Sequence, residues 1–206
     1  MIGYYNYTVI LTYIGALFGF GGIIFINEGN LKMALVCLFL AGFCDMFDGK
    51  IASTKKRTPQ EKRFGIQIDS LSDLVSFGVL PALIVLNCSE KTIFSFSVSA
   101  LFLLCALIRL AWFNVDEEER QNQTSARREF YLGLPITSTA LLLPLFIGLA
   151  QQLHLPLAKT ASWWLLIIAA AFLLPFQLKK PKLAGITIML TVGIAGFIIV
   201  LTGGRL

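Results

Sequence analysis

Phe43-Cys44-Asp45-Met46-Phe47-Asp48-Gly49-Lys50-Ile51-Ala52 sets two carboxylates into a greasy run. Past a short basic loop, Gly65-Ile66-Gln67-Ile68-Asp69-Ser70-Leu71-Ser72-Asp73 sets in two more. A carboxylate inside or at the edge of a hydrocarbon phase costs several kcal/mol, on the order of 3 even on lenient scales, so acids so placed are functional candidates by default. At about 100° per helical residue, Asp45, Asp48 and Ala52 share one face, and Gly65, Asp69 and Asp73 line a second stripe. The two stripes can face each other across one cleft. Oxygen-rich sites with several carboxylates suit hard divalent cations such as Mg2+ or Mn2+, and two such ions can clamp a phosphoryl group during a displacement.

The surroundings of these runs decide the class of protein. The 206-residue chain is 56% hydrophobic, above the soluble norm of about 45 to 50%, and its uncharged runs reach the roughly 20 residues needed to cross a bilayer. The pattern predicts an all-α polytopic membrane bundle with helices near Thr8 to Ile26, Met33 to Ser53, Ile66 to Leu86, Thr92 to Asn114, Leu132 to Leu153, Thr160 to Leu178 and Leu183 to Thr202. Seven crossings are expected, with six plus one interfacial helix as the alternative. No long linker and no repeat of 20 to 50 residues interrupts the chain, so residues 1 to 206 read as a single membrane domain.

Basic residues favour cytoplasmic loops. Lys50, Lys55, Lys56, Arg57, Lys62 and Arg63 follow the second helix, Arg120, Arg127 and Arg128 the fourth, and Lys179, Lys180 and Lys182 the sixth, together 12 of the 17 Lys and Arg. The amino terminus is therefore expected on the cytoplasmic side of the cell (plasma) membrane and the carboxyl terminus outside, with both aspartate pairs at the cytoplasmic ends of the second and third helices. Met1-Ile2-Gly3-Tyr4 lacks the basic region of a cleavable signal, so the first helix is expected to be retained. The net charge of +5 reflects topology and attraction to anionic lipid headgroups, with no call for nucleic acid. Cys37, Cys44, Cys88 and Cys105 lack metal-ligand spacing and read as packing residues. The mixed-charge run from Val115 to Glu129 reads as a solvated loop or surface helix, His154 as a surface-loop residue, and Trp163 and Trp164 as core or interfacial belt.

Gly49 follows Asp48 directly and Gly65 stands one turn before Asp69, so each leaves a gap where a bulky headgroup can approach the backbone. Such gaps suit a nucleotide. The joint pattern, Asp-x-x-Asp-Gly-x-x-Ala and then Gly-x-x-x-Asp-x-x-x-Asp on the next helix, resembles the signature of the CDP-alcohol phosphatidyltransferase family. The resemblance implies a membrane-embedded helical fold, a homodimer, and transfer of a phosphatidyl group from a CDP-linked lipid to an alcohol hydroxyl with release of CMP. It also implies that Asp45, Asp48 and Asp69 hold metal ions, that Asp73 joins the second metal site or acts as base, and that Gly49, Ala52 and Gly65 border the cytidine nucleotide.

Two departures bear on phosphate binding. Ser53 stands where the family pattern usually has Arg, and the stretch from there to Gly65 is longer than is common. Lys50, Lys55, Lys56 or Arg57 can supply the missing charge, since both cation types bind phosphate and Arg can do so bidentately. The flanks of the signature, Phe64 to Pro81, with Arg109-Leu110-Ala111-Trp112-Phe113-Asn114 and Tyr131-Leu132-Gly133-Leu134-Pro135, resemble the branch that takes L-serine as acceptor and CDP-diacylglycerol as donor. The other expected acceptors are glycerol 3-phosphate and inositol phosphate. Arg109 lies about 7 Å inside its helix end by the rise of 1.5 Å per residue. It can neutralise the acids, bind a serine carboxylate or lipid phosphate, or simply pair and snorkel; Asn114 can contact the acceptor or cap the helix.

Rival classes read less well. An ion-coupled transporter places its site near the midplane in broken helices, and a prenyltransferase would carry Asn before its first aspartate, where this chain has Cys44. Direct attack by the acceptor hydroxyl, with Asp73 as base, needs no enzyme nucleophile; a two-step path through a covalent phosphatidyl-enzyme is the alternative, though no Ser-His or Cys-His arrangement supports it.

Overall fold

A computed structural model describes residues 2–123 and 130–179, with 191 and 193. Six helical rods make up the described residues, and the chain is an all-α integral membrane bundle. The expected seventh segment, Leu183 to Thr202, lies outside the described residues except for 191 and 193, and Arg127, Arg128, Lys180, Lys182 and Arg205 lie outside them too.

Helix α1 (Tyr7–Asn27) opens with the Asn6 side chain accepting from the Thr8 N–H at 3.1 Å, which satisfies one orphan donor of the first turn. It runs into α2 (Leu31–Ala52) through Gly29, whose φ of +78° ordinary L residues rarely adopt, and Asn30 caps α2 through the Met33 N–H. The pair packs along almost its whole length. A Cβ on Gly22 would stand 2.6 Å from a Leu80 methyl and 3.1 Å from the Cys37 Cβ, and one on Gly19 would collide with the Ser76 hydroxyl. Small residues thus let α1 sit close against its neighbours, the usual device between membrane helices.

Helix α3 (Pro59–Asp73) begins earlier than the hydropathy of the chain suggests. Its polar first turns are specified by a capping box in which the Thr58 hydroxyl accepts from the Glu61 N–H at 3.2 Å and the Glu61 carboxylate accepts from the Thr58 N–H at 2.8 Å, with Pro59 in the first turn. The rod continues through a wide π turn, Leu74–Val79, into α4 (Leu80–Cys88). Ser76, Phe77 and Gly78 of that turn are buried in the core, beside Leu35, Leu38 and Leu80 of the flanking helices.

Helix α5 (Ile93–Gln123) is 31 residues long and so spans about 46 Å, well beyond a hydrocarbon core of about 30 Å. It passes the expected end at Asn114 because the charged run that follows is itself helix-forming; Arg120 forks onto Glu117 one turn back, at 3.0 and 2.6 Å. The run Val115 to Glu129 is therefore a helix extension as far as Gln123.

The fifth and sixth segments are shorter than expected. Phe130–Leu132 (β1) is extended and pairs antiparallel with Gln177–Lys179 (β2), Tyr131 opposite Leu178. Gly133, at φ +76°, then turns the chain, donating its N–H to the Phe176 carbonyl at 2.7 Å. Only after Pro135 and a short 3-10 turn, Ile136–Ser138, does α6 (Thr139–Gln152) begin. Helix α7 (Leu157–Leu173) stops two residues before Pro175, which disfavours helical backbone before it. The core gathers Phe102, Leu143, Ile147, Leu165, Ile168 and Phe172 between α5, α6 and α7. His154 is exposed in the turn after α6, and the four cysteines are free, three of them buried.

Candidate active site

The two aspartate stripes meet. Asp45, Asp48 and Asp69 each offer a carboxylate oxygen, and these oxygens all lie within 4.8 Å of one another. Asp73, one turn beyond Asp69, lines the same narrow cleft together with Thr12, Ser72 and Ser76. Asp48 and Asp73 are buried, Asp45 and Asp69 half-buried. No Lys or Arg among the described residues forms an ion pair with any of the four. Carboxylates this close repel one another at an effective dielectric far below that of water, and the arrangement is one that a cation relieves. Trans ligands of an octahedral Mg2+ are about 4.2 Å apart, twice a bond of ~2.1 Å, so the donor set fits a hard divalent cation by both its chemistry and its span.

Next to the cleft opens a cavity of about 500 Å³, lined by Thr8, Val9, Thr12, Asp48, Gly49, Ala52, Ser53, Arg57, Lys62, Gly65, Ile66, Asp69 and Arg120. Asp48 and Asp69 belong to both spaces, so whatever fills the cavity meets the acid cluster at one end. Its other walls carry three cations, Arg57 from the α2–α3 loop, Lys62 from α3 and Arg120 from the extended α5. No Cβ stands over Gly49, where a side chain would meet open space, and the Arg57 guanidinium lies against Gly65, with Nη1 3.0 Å from where a Cβ would stand.

Of the residues singled out in the sequence, Asp45, Asp48, Asp69, Asp73, Gly49, Ala52, Gly65 and Arg57 come together here. Lys50 does not line the cavity; its ammonium lies over the Phe47 ring, 5.2 Å from the centroid. Lys55 is drawn to Glu61 at 3.2 Å, in a cluster that also takes the Asn6 amide at 3.0 Å. Arg109 is 5% exposed, donates to the Leu134 carbonyl at 3.1 Å and stacks over Trp112 and Phe113; it lines neither space and ties α5 to the Gly133 turn. Asn114 accepts from the Ser70 hydroxyl at 2.7 Å, joining α5 to the acid-bearing face of α3.

Thr12, Lys62 and Arg120 were not singled out. The signal for Thr12 was present: Thr8, Thr12, Gly15, Gly19, Gly22 and Ile26 recur at spacings of four and three, and all are buried. That is the seam of a closely packed helix. Lys62 and Arg120 sit in basic or mixed-charge runs whose members look alike in sequence.

The chain belongs to the CDP-alcohol phosphatidyltransferase family, whose profile matches residues 5–175. Among curated proteins it is similar to a CDP-diacylglycerol--serine O-phosphatidyltransferase of Saccharomyces cerevisiae, 38% identical over 54% of this chain and 39% of that protein. A protein of the same name from Mycobacterium bovis is 29% identical over 75% of this chain and 51% of its own length. An archaetidylserine synthase of Methanothermobacter thermautotrophicus is 29% identical over 85% and 70%. The chain thus spans about half the length, or less, of the yeast and mycobacterial relatives.

Proposed function

We propose that this chain, as one membrane domain, transfers the phosphatidyl group of CDP-diacylglycerol to the hydroxyl of L-serine, giving phosphatidylserine and CMP. What carries the reading is the junction of three converging carboxylates with a nucleotide-sized, cation-lined cavity. The serine acceptor draws its support from the names of the relatives and from the Ser70 flank of the signature.

Asp45, Asp48 and Asp69, joined by Asp73, would hold Mg2+ or Mn2+, most simply two ions. When bound, such ions neutralise phosphoryl charge that otherwise repels an incoming hydroxyl and stabilise the departing CMP phosphate. The chain's own groups do the rest. Gly49, Ala52 and Gly65 leave room for the cytidine and its backbone contacts. Arg57 takes the role that the family pattern gives to the position of Ser53 and, with Lys62, meets the diphosphate electrostatically. Asp73 accepts the proton of the serine hydroxyl. Asn114, held by Ser70, contacts the acceptor, while Arg109 braces the turn at Gly133 that closes this side. The site faces the cytoplasm of the plasma membrane, where the basic loops are, and the protein works as a homodimer among membrane lipids.

The test is CMP release by the detergent-purified protein with CDP-diacylglycerol and Mg2+ or Mn2+, comparing L-serine, glycerol 3-phosphate, inositol phosphate and no acceptor. Metal-dependent release that requires L-serine, with phosphatidylserine as product, is expected. Release driven by another acceptor overturns the substrate and keeps the chemistry; no release under any condition overturns both.

A further inference from the structure

Helix α1 carries none of the signature residues, yet one of its side chains reaches the centre of the acid cluster. The Thr12 hydroxyl donates to Asp48 Oδ2 at 3.2 Å, and both residues are buried, at 7% and 8% exposure. In a helix the ordinary outlet for a threonine hydroxyl is the carbonyl one turn back; Thr12 spends its donor on a carboxylate of the neighbouring helix instead. The same residue is held from its other side, for its backbone carbonyl accepts from the Ser72 hydroxyl at 3.3 Å. Ser72 lies between Asp69 and Asp73 on α3. A single residue of α1 therefore links the helix bearing Asp45 and Asp48 to the helix bearing Asp69 and Asp73, and it lines both the acid cleft and the cavity beside it.

We propose that Thr12 is a positioning residue for the divalent-cation site, fixing the Asp48 carboxylate by its hydroxyl and setting the spacing of the two aspartate helices by its carbonyl. The inference rests on the cation reading given above. A carboxylate on a helix turns freely about its last torsion unless one oxygen is held. Holding Oδ2 removes that freedom before any cation arrives, and partners of this kind typically contribute about 10- to 100-fold to metal affinity. The close packing of α1, with Ser76 donating to the Gly15 carbonyl at 3.4 Å one turn further on, keeps the hydroxyl in register with Asp48.

The experiment measures Mn2+ binding directly, by electron paramagnetic resonance of free Mn2+ in titrations of the detergent-purified protein without substrate, alongside thermal unfolding in EDTA. Wild type should bind Mn2+ saturably, and Asp69→Asn should abolish the binding. Thr12→Val, which keeps the volume, and Thr12→Ala, which leaves room, should each weaken binding roughly tenfold or more, whereas Thr12→Ser, which keeps the hydroxyl, should stay within about threefold of wild type. Wild-type affinity in whichever of the Val and Ala variants folds overturns the inference and leaves the cation site standing. Loss in Thr12→Ser equal to that in Thr12→Ala also overturns it, by showing that packing and not the hydroxyl matters. Absence of saturable Mn2+ binding in wild type overturns the cation reading and this inference with it.

Discussion

Arg57 and Gly65 fit one against the other, the guanidinium Nη1 lying 3.0 Å from the point that a Cβ on Gly65 would take. The glycine thus makes room for a cation of the preceding loop, and that cation is turned into the cavity. Arg57→Gln should raise the KM for CDP-diacylglycerol about tenfold or more, since a hydrogen bond to a charged group contributes about 1.5 to 3 kcal/mol, with the thermal midpoint nearly unchanged. Gly65→Ala should move KM the same way by a smaller factor. Steady-state kinetics on mixed micelles read both, and an unaltered KM in Arg57→Gln would remove the phosphate role from this residue.

The four aspartates should separate into two groups. Asp69→Asn removes one of three converging carboxylates and should abolish turnover, and EDTA treatment of wild type should do the same, reversibly on adding Mg2+ or Mn2+. Asp73→Asn should cut turnover by about 100-fold or more, in the range that proton transfer to a positioned base supplies, and spare binding of the CDP-lipid. Equal loss of turnover and binding in Asp73→Asn would mark it as a metal ligand only.

Ser70 and Asn114 should bear on the acceptor alone. Their hydrogen bond joins α3 to α5, and its loss in Ser70→Ala frees the Asn114 amide to turn. The KM for L-serine should rise several-fold, by the ~1 kcal/mol of an ordinary hydrogen bond, while that for CDP-diacylglycerol holds. A matched rise in both would show that the pair supports the helices and not the acceptor.

Glu61 is the knot of the α2–α3 loop, taking the Thr58 N–H, the Lys55 ammonium and the Asn6 amide. Glu61→Ala should release the loop: trypsin should cleave faster at Lys55, Lys56 and Arg57, the thermal midpoint should fall, and the KM for the CDP-lipid should rise because Arg57 is carried on that loop. Unchanged cleavage rates would mean that the other ties, such as Tyr7 to Thr54 at 3.1 Å, suffice.

The carboxylate cluster was legible because helical periodicity converts sequence spacing into a shared face, and four acids on two greasy helices leave few arrangements. The bundle was legible for the same reason, from runs of apolar residues. What periodicity does not report is the fate of long flexible side chains. Lys50, Lys55 and Arg57 stand within eight positions in one basic stretch, yet one lies on a ring, one is taken by a carboxylate and one enters the cavity. Nor does hydropathy see a capping box, so the polar start of α3 at Pro59 goes unread, or a strand of three residues, so Leu132, the last residue of β1, reads as the start of a helix. Arg109 stands in the sequence as a charge inside a helix; the rings it lies over are one turn away on that helix, but the Leu134 carbonyl that takes its Nε–H is 25 residues on, a contact that no local pattern encodes.

Helix α5 is unbroken from Ile93 to Gln123, and Arg109 and Arg120 stand on it eleven residues, or about 16 Å, apart. One guanidinium is sunk in the bundle and the other is at the cavity wall, with no hinge between them. The level at which a lipid's polar end meets the acids is thereby gauged against the bilayer interior by a rigid ruler. A membrane that thickens or thins would press on that ruler as a whole and would carry the rim of the cavity with it.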